Sequence, residues 1–292
     1  MYILQKVMLS LEIKDHRIER KICKRFCFTL FEATNELDDQ KRFLKILDPA
    51  FAGDETCVFR YLNGARLTSR VQNDQVCQIF QFRKEDNRYT IISEHVAAET
   101  LETCMHEESP MPLERLTTLM ISLASILREV HLQGVVHGLL NPGSIYLMKD
   151  DRLKLDDLVY NWIVPHLFKR EDAEGMYLTN YMAPEVYFGH DQIDGRADIY
   201  SLGAIFLQLL AEENFNGQMN ASLKHNQLIA TISKIRNQFW QHAGTLESIL
   251  AKCLGMNPDF RYQNLKDLLK DLKTLKREVA DAAGEDCKPE GD

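Results

Sequence analysis

The chain has 292 residues, of which 45% are hydrophobic and 27% are charged, a composition typical of a folded domain rather than of a disordered chain. Its 43 acidic and 35 basic side chains give a net charge of -8, which argues against nucleic acid or an anionic membrane surface as the main partner. No apolar run approaches the ~18 residues that a membrane span needs, and residues 1–10 lack the length and cleavage site of a secretory signal.

Seven cysteines are scattered along the chain, and none forms a CxxC pair. A domain of this size does not need a disulfide framework, so the pattern indicates free thiols in a reducing compartment. We therefore expect a cytoplasmic protein that does not span a membrane.

The first third of the chain is rich in the apolar and β-branched runs that favour strands. Four strands are predicted, at 26–31, 42–47, 76–82 and 89–93. Polar stretches at 35–40 and 83–88 are expected to join them as turns. A helix at 54–71 is also expected, although Asn63 and Gly64 weaken its helical propensity.

From Pro112 onward the pattern becomes helical. Apolar residues recur at helical spacing from Leu116 to Val130, and Pro112 suits the first turn of a helix. Further helices are predicted at 199–210, 223–240, 246–254 and 265–275. From about residue 280 the chain is small, polar and acidic, so we expect a disordered tail. A β-rich part followed by a helical part indicates two lobes that meet near residues 94–100.

Six short segments occur in a specific order and at specific spacings. They are the segments 43–45 (FLK), 136–145 (VHGLLNPGSI), 153–159 (LKLDDLV), 182–185 (MAPE), 198–203 (DIYSLG) and 257–261 (NPDFR). Together, over roughly residues 18–276, they resemble the ordered motifs of the protein kinase superfamily, in its Ser/Thr-kinase-like form. The alternative is an unrelated α+β protein with chance matches.

The resemblance implies an α+β, bilobal protein-kinase-like fold. A small β-rich N-terminal lobe is expected at about 18–94, and a larger, mainly helical C-terminal lobe at about 97–276. Residues 1–17 would be an N-terminal extension, and residues 277–292 a disordered acidic tail. In this family the protein holds ATP and magnesium, and a carboxylate orients the attacking hydroxyl.

The catalytic-loop positions have lost this chemistry. By resemblance, the orienting carboxylate falls on Leu139, which cannot accept a proton or a hydrogen bond. The phosphate-steadying lysine falls on uncharged Asn141, and the second metal ligand falls on Ser144, which is shorter than the family's asparagine. The threonine before A-P-E falls on Leu178, with Thr179 one position away. We therefore expect no intact catalytic residue.

Two ionic residues of the family's nucleotide site survive, Lys45 and Asp157. The third place of the metal-binding motif is Val159, where the family has a more permissive glycine. Two roles for Asp157 stay open: it binds a metal, or it bonds to nearby backbone or to Lys45. The glutamate that pairs with the lysine falls near Asn63 or Gly64, so that ion pair is expected to be absent.

The phosphate cradle and the adenine pocket are also altered. The family's three phosphate-loop glycines fall on Cys23, Arg25 and Phe28, whose side chains obstruct the approach of phosphate to backbone N–H groups. Phe43 falls in the roof of the adenine pocket, and Tyr146 falls in its floor. Aromatic rings attract each other at ~4.5–7 Å, so we expect these two rings to occlude the pocket. The alternative is that they turn aside and only thicken the core.

The hinge between the lobes follows from the same alignment. Ser93 is the gatekeeper, and backbone groups of Glu94 and Val96 would bond the purine edge. If a nucleotide binds at all, its contacts are expected at Lys45, Glu94, Val96 and Asp157. Any ATP would bring magnesium to Asp157. Otherwise no cofactor and no metal are expected.

Residues that hold the family's C-terminal lobe together are kept. They are His137, Leu158, Glu185, Asp198, Gly203 and Arg261. Glu185 and Arg261 are expected to form a buried bidentate ion pair, and Asp198 is expected to tie the backbone of the catalytic loop.

A retained scaffold with replaced chemistry predicts a pseudokinase. This would be a catalytically inactive kinase-like domain that acts as a scaffold or allosteric module, with another signalling protein as its partner. Self-association is left open, and neither nucleic acid nor membrane is expected as a partner. The alternative function is a divergent ATP-binding Ser/Thr protein kinase with weak residual phosphotransfer, because positioning and charge stabilisation carry much of that catalysis.

Overall fold

The structure is a computed structural model that describes residues 13–25, 27–85, 88–107, 111–158, 180–189, 193–211, 239 and 241–285. The described residues divide into two compact units. The first holds residues up to Ala97 together with Leu158, and the second holds residues 98–157 and the described residues from 180 onward. The division after Ala97 falls within the interval 94–100, where the sequence predicts that two lobes meet.

The first unit is built on a five-stranded antiparallel sheet with the strand order β1-β2-β3-β5-β4. Its strands are β1 (His16–Lys24), β2 (Phe28–Asn35), β3 (Lys41–Leu47), β4 (Ile79–Glu85) and β5 (Arg88–Glu94). Alternate residues of a strand point to opposite faces of the sheet. In β3, Phe43 and Lys45 therefore lie on one face, which we call the site face, and Leu44 and Ile46 lie on the outer face.

The outer face carries a buried apolar cluster, which we call the outer cluster. Its members are Ile13, Phe31, Ala33, Leu44, Ile46 and Ile92, with Ile18 packed against them. Full burial of an aliphatic or aromatic side chain contributes ~1.5–3 kcal/mol to folding. Strand β3 is thus anchored through its outer face, while its site face presents Phe43 and Lys45.

Two helices follow β3. They are α1 (Pro49–Ala52) and α2 (Glu55–Thr68). The side chain of Asp54 accepts hydrogen bonds from the N–H groups of Thr56 and Cys57, which caps the start of α2 and stabilises it. The helix expected at 54–71 is thus present, with slightly shorter bounds.

The second unit is mainly helical. Its helices are α3 (Leu101–Glu107), α4 (Leu113–Leu132), α5 (Pro184–Tyr187), α6 (Gly195–Ala211), α7 (Ala243–Cys253) and α8 (Leu265–Glu285). A small antiparallel sheet joins β6 (Glu99–Thr100), β7 (Ile145–Leu147) and β8 (Leu153–Leu155). Helix α6 is buried along most of its length and packs against α4 and α7, and α8 packs against α4. Among the described residues, no helix is both long and apolar enough to cross a membrane.

The predicted α+β class, with a β-rich part followed by a helical part, is confirmed. Strand β1 is not predicted, because its sequence HRIERKICK is charged and mostly exposed and so lacks apolar alternation. The first predicted strand begins at Phe28 instead of residue 26, because Arg25 N–H bonds to the Phe28 carbonyl and closes a turn there. The extension expected at 1–17 is too long, since Ile13 is buried and β1 starts at His16.

The disordered tail expected at 277–292 is wrong for residues 277–285, because α8 continues to Glu285. Lys, Arg, Glu and Ala are frequent in this stretch and favour helix, and a helix that has already begun extends at little cost. Residues 286–292 lie outside the described residues. So does the helix predicted at 223–240, apart from residue 239, which is in a turn.

Candidate functional site

The site face of the first unit holds Lys45, the predicted phosphate lysine. Lys45 is only 1% exposed, and its ammonium lies 5.6 Å from the ring centroid of Phe28, which is the range of a cation–π contact. Phe28 is fully buried and occupies the third glycine position of the predicted phosphate loop. A buried ring therefore lies against Lys45 where a glycine would leave only backbone.

The turn that leads into Phe28 is a tight hairpin. The pairing of β1 with β2 continues through Cys23 with Leu30 and Lys24 with Thr29. The N–H of Arg25 then donates to the carbonyl of Phe28 at 2.8 Å. This N–H belongs to the predicted phosphate cradle, and the turn itself already uses it.

Helix α2 contributes Tyr61 to the surroundings of Lys45. Tyr61 is fully buried, and its hydroxyl donates to the backbone carbonyl of Lys45 at 2.8 Å. Its ring lies 6.4 Å from that of Phe28. The buried residues of α2 are Cys57, Tyr61, Gly64, Ala65 and Thr68. None of these buried residues of α2 carries a carboxylate.

Phe43, the predicted roof residue, packs against the hinge. Its ring centroid lies 4.7 Å from that of His95, with 51° between the ring planes. The His95 Nε2 atom lies 3.5 Å from the Glu32 carboxylate. Burial lowers the pKa of His95, despite the opposing pull of Glu32, so the imidazole is favoured in its neutral form.

Glu32 is a buried carboxylate on the same face of the sheet. It accepts a hydrogen bond from Lys41 and another from Arg20 at 2.8 Å. The hydrogen bond from Lys41 lowers the pKa of Glu32 to about 2, against the effect of burial and with further help from Arg20. The Glu32 carboxylate on the site face is therefore charged at neutral pH, and Lys41 and Arg20 of the same unit neutralise it.

The predicted hinge residues lie at the end of β5. The N–H of Glu94 donates to the Gln78 carbonyl at 2.8 Å, and Val96 is buried. Ser93, the predicted gatekeeper, is paired with Phe43 across the sheet and is fully buried. Its hydroxyl oxygen has no hydrogen-bond partner within the part of the chain that the structure describes.

In the second unit, the polar side chains of the predicted catalytic loop form hydrogen bonds with the loop's own backbone. Leu139 is only 2% exposed, so an apolar side chain fills the position of the orienting carboxylate. The Asn141 carboxamide accepts from Gly143 N–H at 3.0 Å and donates to the Leu139 carbonyl at 2.8 Å. The Ser144 hydroxyl donates to the Asn141 carbonyl at 2.7 Å. The polar groups of Asn141 and Ser144 thus stabilise the loop.

Asp157 is buried and has a φ of 63°. This left-handed conformation is uncommon for a residue with a side chain, and Asp tolerates it better than most. Tyr146 is also buried, in β7. The expected contacts of Asp157 with Lys45 and of Tyr146 with Phe43 join different units and stay predictions. Val159, Leu178 and Thr179 lie outside the described residues.

Asp198 holds the backbone of the catalytic loop, as the sequence predicts. Its carboxylate accepts from the N–H groups of His137 and Gly138 at 2.9 and 2.8 Å, and it lies 2.7 Å from His131 Nε2. Burial raises the pKa of Asp198, but these partners, His131 foremost, lower it below its usual value. Gly195 leaves room for His131, since a Cβ there would lie 2.6 Å from the ring.

His137 is fully buried and bonds to the Asp156 carbonyl at 3.0 Å through Nε2. Its Nδ1 atom lies 3.4 Å from the N–H of Leu139. Burial lowers the pKa of His137, which favours the neutral ring. A neutral ring that donates from Nε2 and accepts at Nδ1 satisfies both contacts.

Glu185 and Arg261 form the buried ion pair that the sequence predicts. Two parallel hydrogen bonds join them, at 2.7 and 2.8 Å, in the bidentate geometry that makes such pairs strong. Arg261 also donates to the carbonyls of Gly255 and Arg196, at 2.7 and 2.9 Å. Leu158 is buried as well, and a Cβ added at Gly203 would overlap the side chain of Cys253.

Sequence reasoning missed four residues that shape these surroundings. They are Glu32, Tyr61, His95 and His131. Glu32 could have been found as an acidic residue at an inward position of an apolar strand, where a buried charge needs partners. Tyr61 occupies the buried stripe of α2 at helical spacing. No local signal marks His95 or His131, because their partners are distant in sequence.

Comparisons with known proteins agree with this geometry. The family model described as "Protein kinase domain" matches residues 28–273. A probable serine/threonine-protein kinase of Clostridium acetobutylicum is 25% identical over 271 residues, covering 89% of this chain and 40% of the relative. The serine/threonine-protein kinase PknL of Mycobacterium tuberculosis is 23% identical, covering 90% of this chain and 66% of the relative. The chain thus spans only part of these relatives.

The fold of this chain is also similar to that of solved kinase-domain structures. The kinase domain of Mycobacterium tuberculosis PknI aligns with a TM-score of 0.68 at 19% sequence identity. The alignment covers 91% of this chain and 98% of the PknI kinase domain. Because the family model spans most of the sequence and the fold agrees with it, this chain belongs to the protein kinase superfamily.

Proposed function

We propose that this chain is a pseudokinase domain, which works by binding another signalling protein and does not transfer phosphate. The single observation that carries the proposal is Leu139, a buried leucine at the position of the orienting carboxylate. From 135 to 148 the loop contains no Asp or Glu. A substrate hydroxyl at this position would therefore meet no side chain able to accept its proton.

The other two predicted catalytic-loop positions, Asn141 and Ser144, also support this proposal. A phosphate-steadying lysine brings a positive charge, whereas the Asn141 carboxamide is neutral and is held by its bonds with Leu139 and Gly143. The Ser144 hydroxyl donates to the Asn141 carbonyl and accepts from the Asn141 N–H, so the loop already uses one of its two lone pairs. Breaking the hydrogen bonds of either side chain would leave buried backbone groups without partners. Each such group costs ~1–3 kcal/mol of stability.

The residues present fit a magnesium nucleotide poorly. Magnesium beside a nucleotide is held by one or two carboxylates and the substrate phosphates. Of the predicted metal positions only Asp157 offers a carboxylate, since Ser144 occupies the second. On the site face, Phe28 lies against Lys45. We therefore assign no step of a reaction to a bound nucleotide.

The retained scaffold supports a binding role. The Glu185–Arg261 pair and the Asp198 contacts fix the second unit although the chemistry that they support in active kinases is absent. Such retention is expected where the shape of the domain is what a partner recognises. The proposal includes a location in the cytoplasm, as the scattered cysteines of the sequence, none in a CxxC pair, indicate.

A second candidate is a divergent kinase with weak residual phosphotransfer. Two observations favour it: Lys45 and Asp157 are both retained, and the relatives described above are named as protein kinases. Positioning and charge stabilisation alone can supply part of phosphoryl-transfer catalysis.

A radiolabelled-ATP assay with a generic basic protein as acceptor distinguishes the two candidates. We expect incorporation at background level with magnesium or manganese, beside an active Ser/Thr kinase as the positive control. Incorporation that disappears in an Asp157→Asn variant would establish the divergent kinase and reject the pseudokinase.

A further inference from the structure

A groove opens in the second unit where three helices end or begin. Its lining comes from residues 128–136 at the end of α4, 194–199 at the start of α6 and 263–267 at the start of α8. We call it the helix-end groove. Its volume is about 790 Å³, within the ~300–1,000 Å³ of typical ligand sites. None of the predicted catalytic or nucleotide positions lines it.

The helix-end groove has an apolar base and an exposed apolar residue at its rim. Ile199 and Leu265 line the groove and are only 1% and 3% exposed. Leu132, the last residue of α4, also lines the groove but is 67% exposed. Removal of this side chain from water favours an occupant that brings an apolar side chain of its own.

The charged side chains of the groove favour an occupant that is also anionic. Both carboxylates in its lining already have partners: Asp194 accepts from Arg196 at 3.0 Å, and Asp267 accepts from the Asn264 carboxamide at 2.9 Å. Lys266 is exposed, and its ammonium has no hydrogen bond or ion pair among the described residues. A positive charge therefore remains available at the start of α8.

Arg128 adds a second cation on the α4 side of the groove. Its described ion pair is with the neighbouring Glu129, and both side chains are about half exposed, so this pair is weak. Charges further away than ~8 Å are largely screened at physiological ionic strength. The local cations Arg128 and Lys266, rather than the net charge of -8, therefore determine which charge the groove attracts.

His131 connects the helix-end groove to the predicted catalytic loop. Its ring lines the groove and lies against Gly195, where an added Cβ would be 2.6 Å from Nδ1. Its Nε2 atom lies 2.7 Å from the Asp198 carboxylate, which accepts from the N–H groups of His137 and Gly138. An occupant of the groove therefore lies beside a side chain that bonds directly to the residue holding the loop.

We propose that the helix-end groove is the docking site for a short acidic segment of a partner protein. Carboxylates of the segment bind Lys266 and Arg128, and an apolar side chain of the segment covers Leu132. This inference rests on the proposed function, since it assigns the surface by which the domain binds its signalling partner. It places that partner next to His131 and hence next to the support of the catalytic loop.

A displayed library of random peptides, selected on the full chain, tests this assignment. We expect the enriched peptides to combine Asp or Glu with an apolar residue. Lys266→Glu should weaken their binding about tenfold or more, measured by fluorescence anisotropy at physiological salt. The variant should fold, because an acidic residue suits the first turn of α8. Lys270→Glu is the matched control: it makes the same change of charge one turn further along α8, outside the groove, and should weaken binding less than about twofold.

A second pair of variants tests the apolar contact. Leu132→Ser should weaken peptide binding about threefold or more, because it removes the apolar side chain from the rim. Leu37→Ser is its control, since Leu37 is a similarly exposed leucine, at 77%, in the first unit. Its replacement should leave binding unchanged.

Hydrogen exchange locates the bound peptide. Amides in the first turns of α6 and α8 should exchange more slowly in the complex, while those of β3 should not change. A selection without enrichment, basic enriched peptides, equal binding to the parent and to Lys266→Glu, or slowed exchange confined to other elements would each overturn the proposal. The radiolabelled-ATP assay decides the proposed function separately, because none of these outcomes depends on phosphotransfer.

Discussion

At the catalytic-loop and phosphate-loop positions where this sequence departs from the kinase motifs, the residues present make contacts of their own. Leu139 is packed away from solvent, and Asn141 and Ser144 cap the loop that contains them. Phe28 lies against the lysine that a glycine would leave accessible. The substitutions have therefore produced a stable local structure, and reversing one of them alone would disturb that structure before it restored any chemistry.

The ion pair of Glu185 with Arg261 gives a direct test at this scale. Arg261→Ala should lower the free energy of unfolding by ~3–5 kcal/mol, because it leaves a buried carboxylate without its partner. Arg128→Ala is the matched control, since Arg128 is 44% exposed and, among the described residues, its ion pair is with its neighbour Glu129, a kind of pair worth ~0–1 kcal/mol. Urea denaturation measures both. A loss in Arg261→Ala no larger than that of the control would contradict the assigned role.

Glu32 predicts how stability depends on pH. Its pKa falls from the ordinary value of 4.5 to about 2 on folding, so its contribution to stability is complete above pH 4.5. The contribution is lost as the pH falls from 4.5 towards 2, because the unfolded chain takes up the proton first. We expect the melting temperature of the parent to fall through this window more steeply than that of Glu32→Gln.

His95 is a second group whose pKa changes on folding, and it lies beside Glu32. Burial lowers its pKa below the ordinary 6.5, so its protonation begins to favour the unfolded chain below pH 6.5. Melting curves of the parent and of Glu32→Gln that run parallel from pH 4.5 to 2 would show that the Glu32 carboxylate is not held by its partners.

At the scale of elements, the alternation of side chains along a strand and the close packing between helices determine which contacts each segment makes. Strand β3 uses its outer side for the outer cluster and its other side for Phe43 and Lys45. Helix α6 is buried on nearly all sides, and its Gly203 lies against Cys253 of α7 so closely that a Cβ does not fit.

Gly203→Ala should therefore destabilise the second unit by ~1–3 kcal/mol through overpacking, although Ala is the better helix former by ~1 kcal/mol. Gly244→Ala in α7 is the matched control, because no described atom outside its own helix and chain neighbours lies within 4 Å of its added Cβ. There the intrinsic helix propensity should dominate and leave stability unchanged or slightly higher. Thermal melts of the two variants that shift in the same direction would show that α6 and α7 do not approach closely at Gly203.

At the scale of the whole molecule, nucleotide binding is the property that distinguishes the two candidate functions. Phe43 and Tyr146 are both buried, and their occlusion of the adenine pocket is a prediction from the family alignment. A ligand at one hundred times its dissociation constant adds ~2.7 kcal/mol to stability. We expect ATP, with or without magnesium, to give no saturable rise in melting temperature up to millimolar concentration.

Removing the Phe43 ring, the predicted roof of the adenine pocket, tests the same prediction by opening the pocket. Phe43→Ala should cost ~3–5 kcal/mol of stability and should create weak purine binding where the parent has none. Phe260→Ala is the control, because Phe260 is 76% exposed and its loss should change neither stability nor binding. Saturable stabilisation of the unmodified chain by ATP would reject occlusion and favour the divergent kinase.

Much of the architecture was determined by the sequence alone. The order of short motifs identified the fold, because each motif contains residues that the fold needs at fixed spacing. The motifs also located Leu139, Asn141 and Ser144 in the catalytic loop and predicted the pairing of Glu185 with Arg261. Helices α4 and α6 followed from apolar periodicity, which is a local property that a linear sequence records.

Only the tertiary structure revealed the contacts between distant segments. Strand β1 is charged and mostly exposed, so no apolar alternation marks it, and its pairing with β2 is what identifies it. The register of β2 against β3 and the path of the hinge bring Glu32, Phe43 and His95 together. The turn at Arg25 sets Phe28 against Lys45. These contacts depend on how strands pair and chains turn in space, whereas periodicity and motif order report only what neighbouring residues favour.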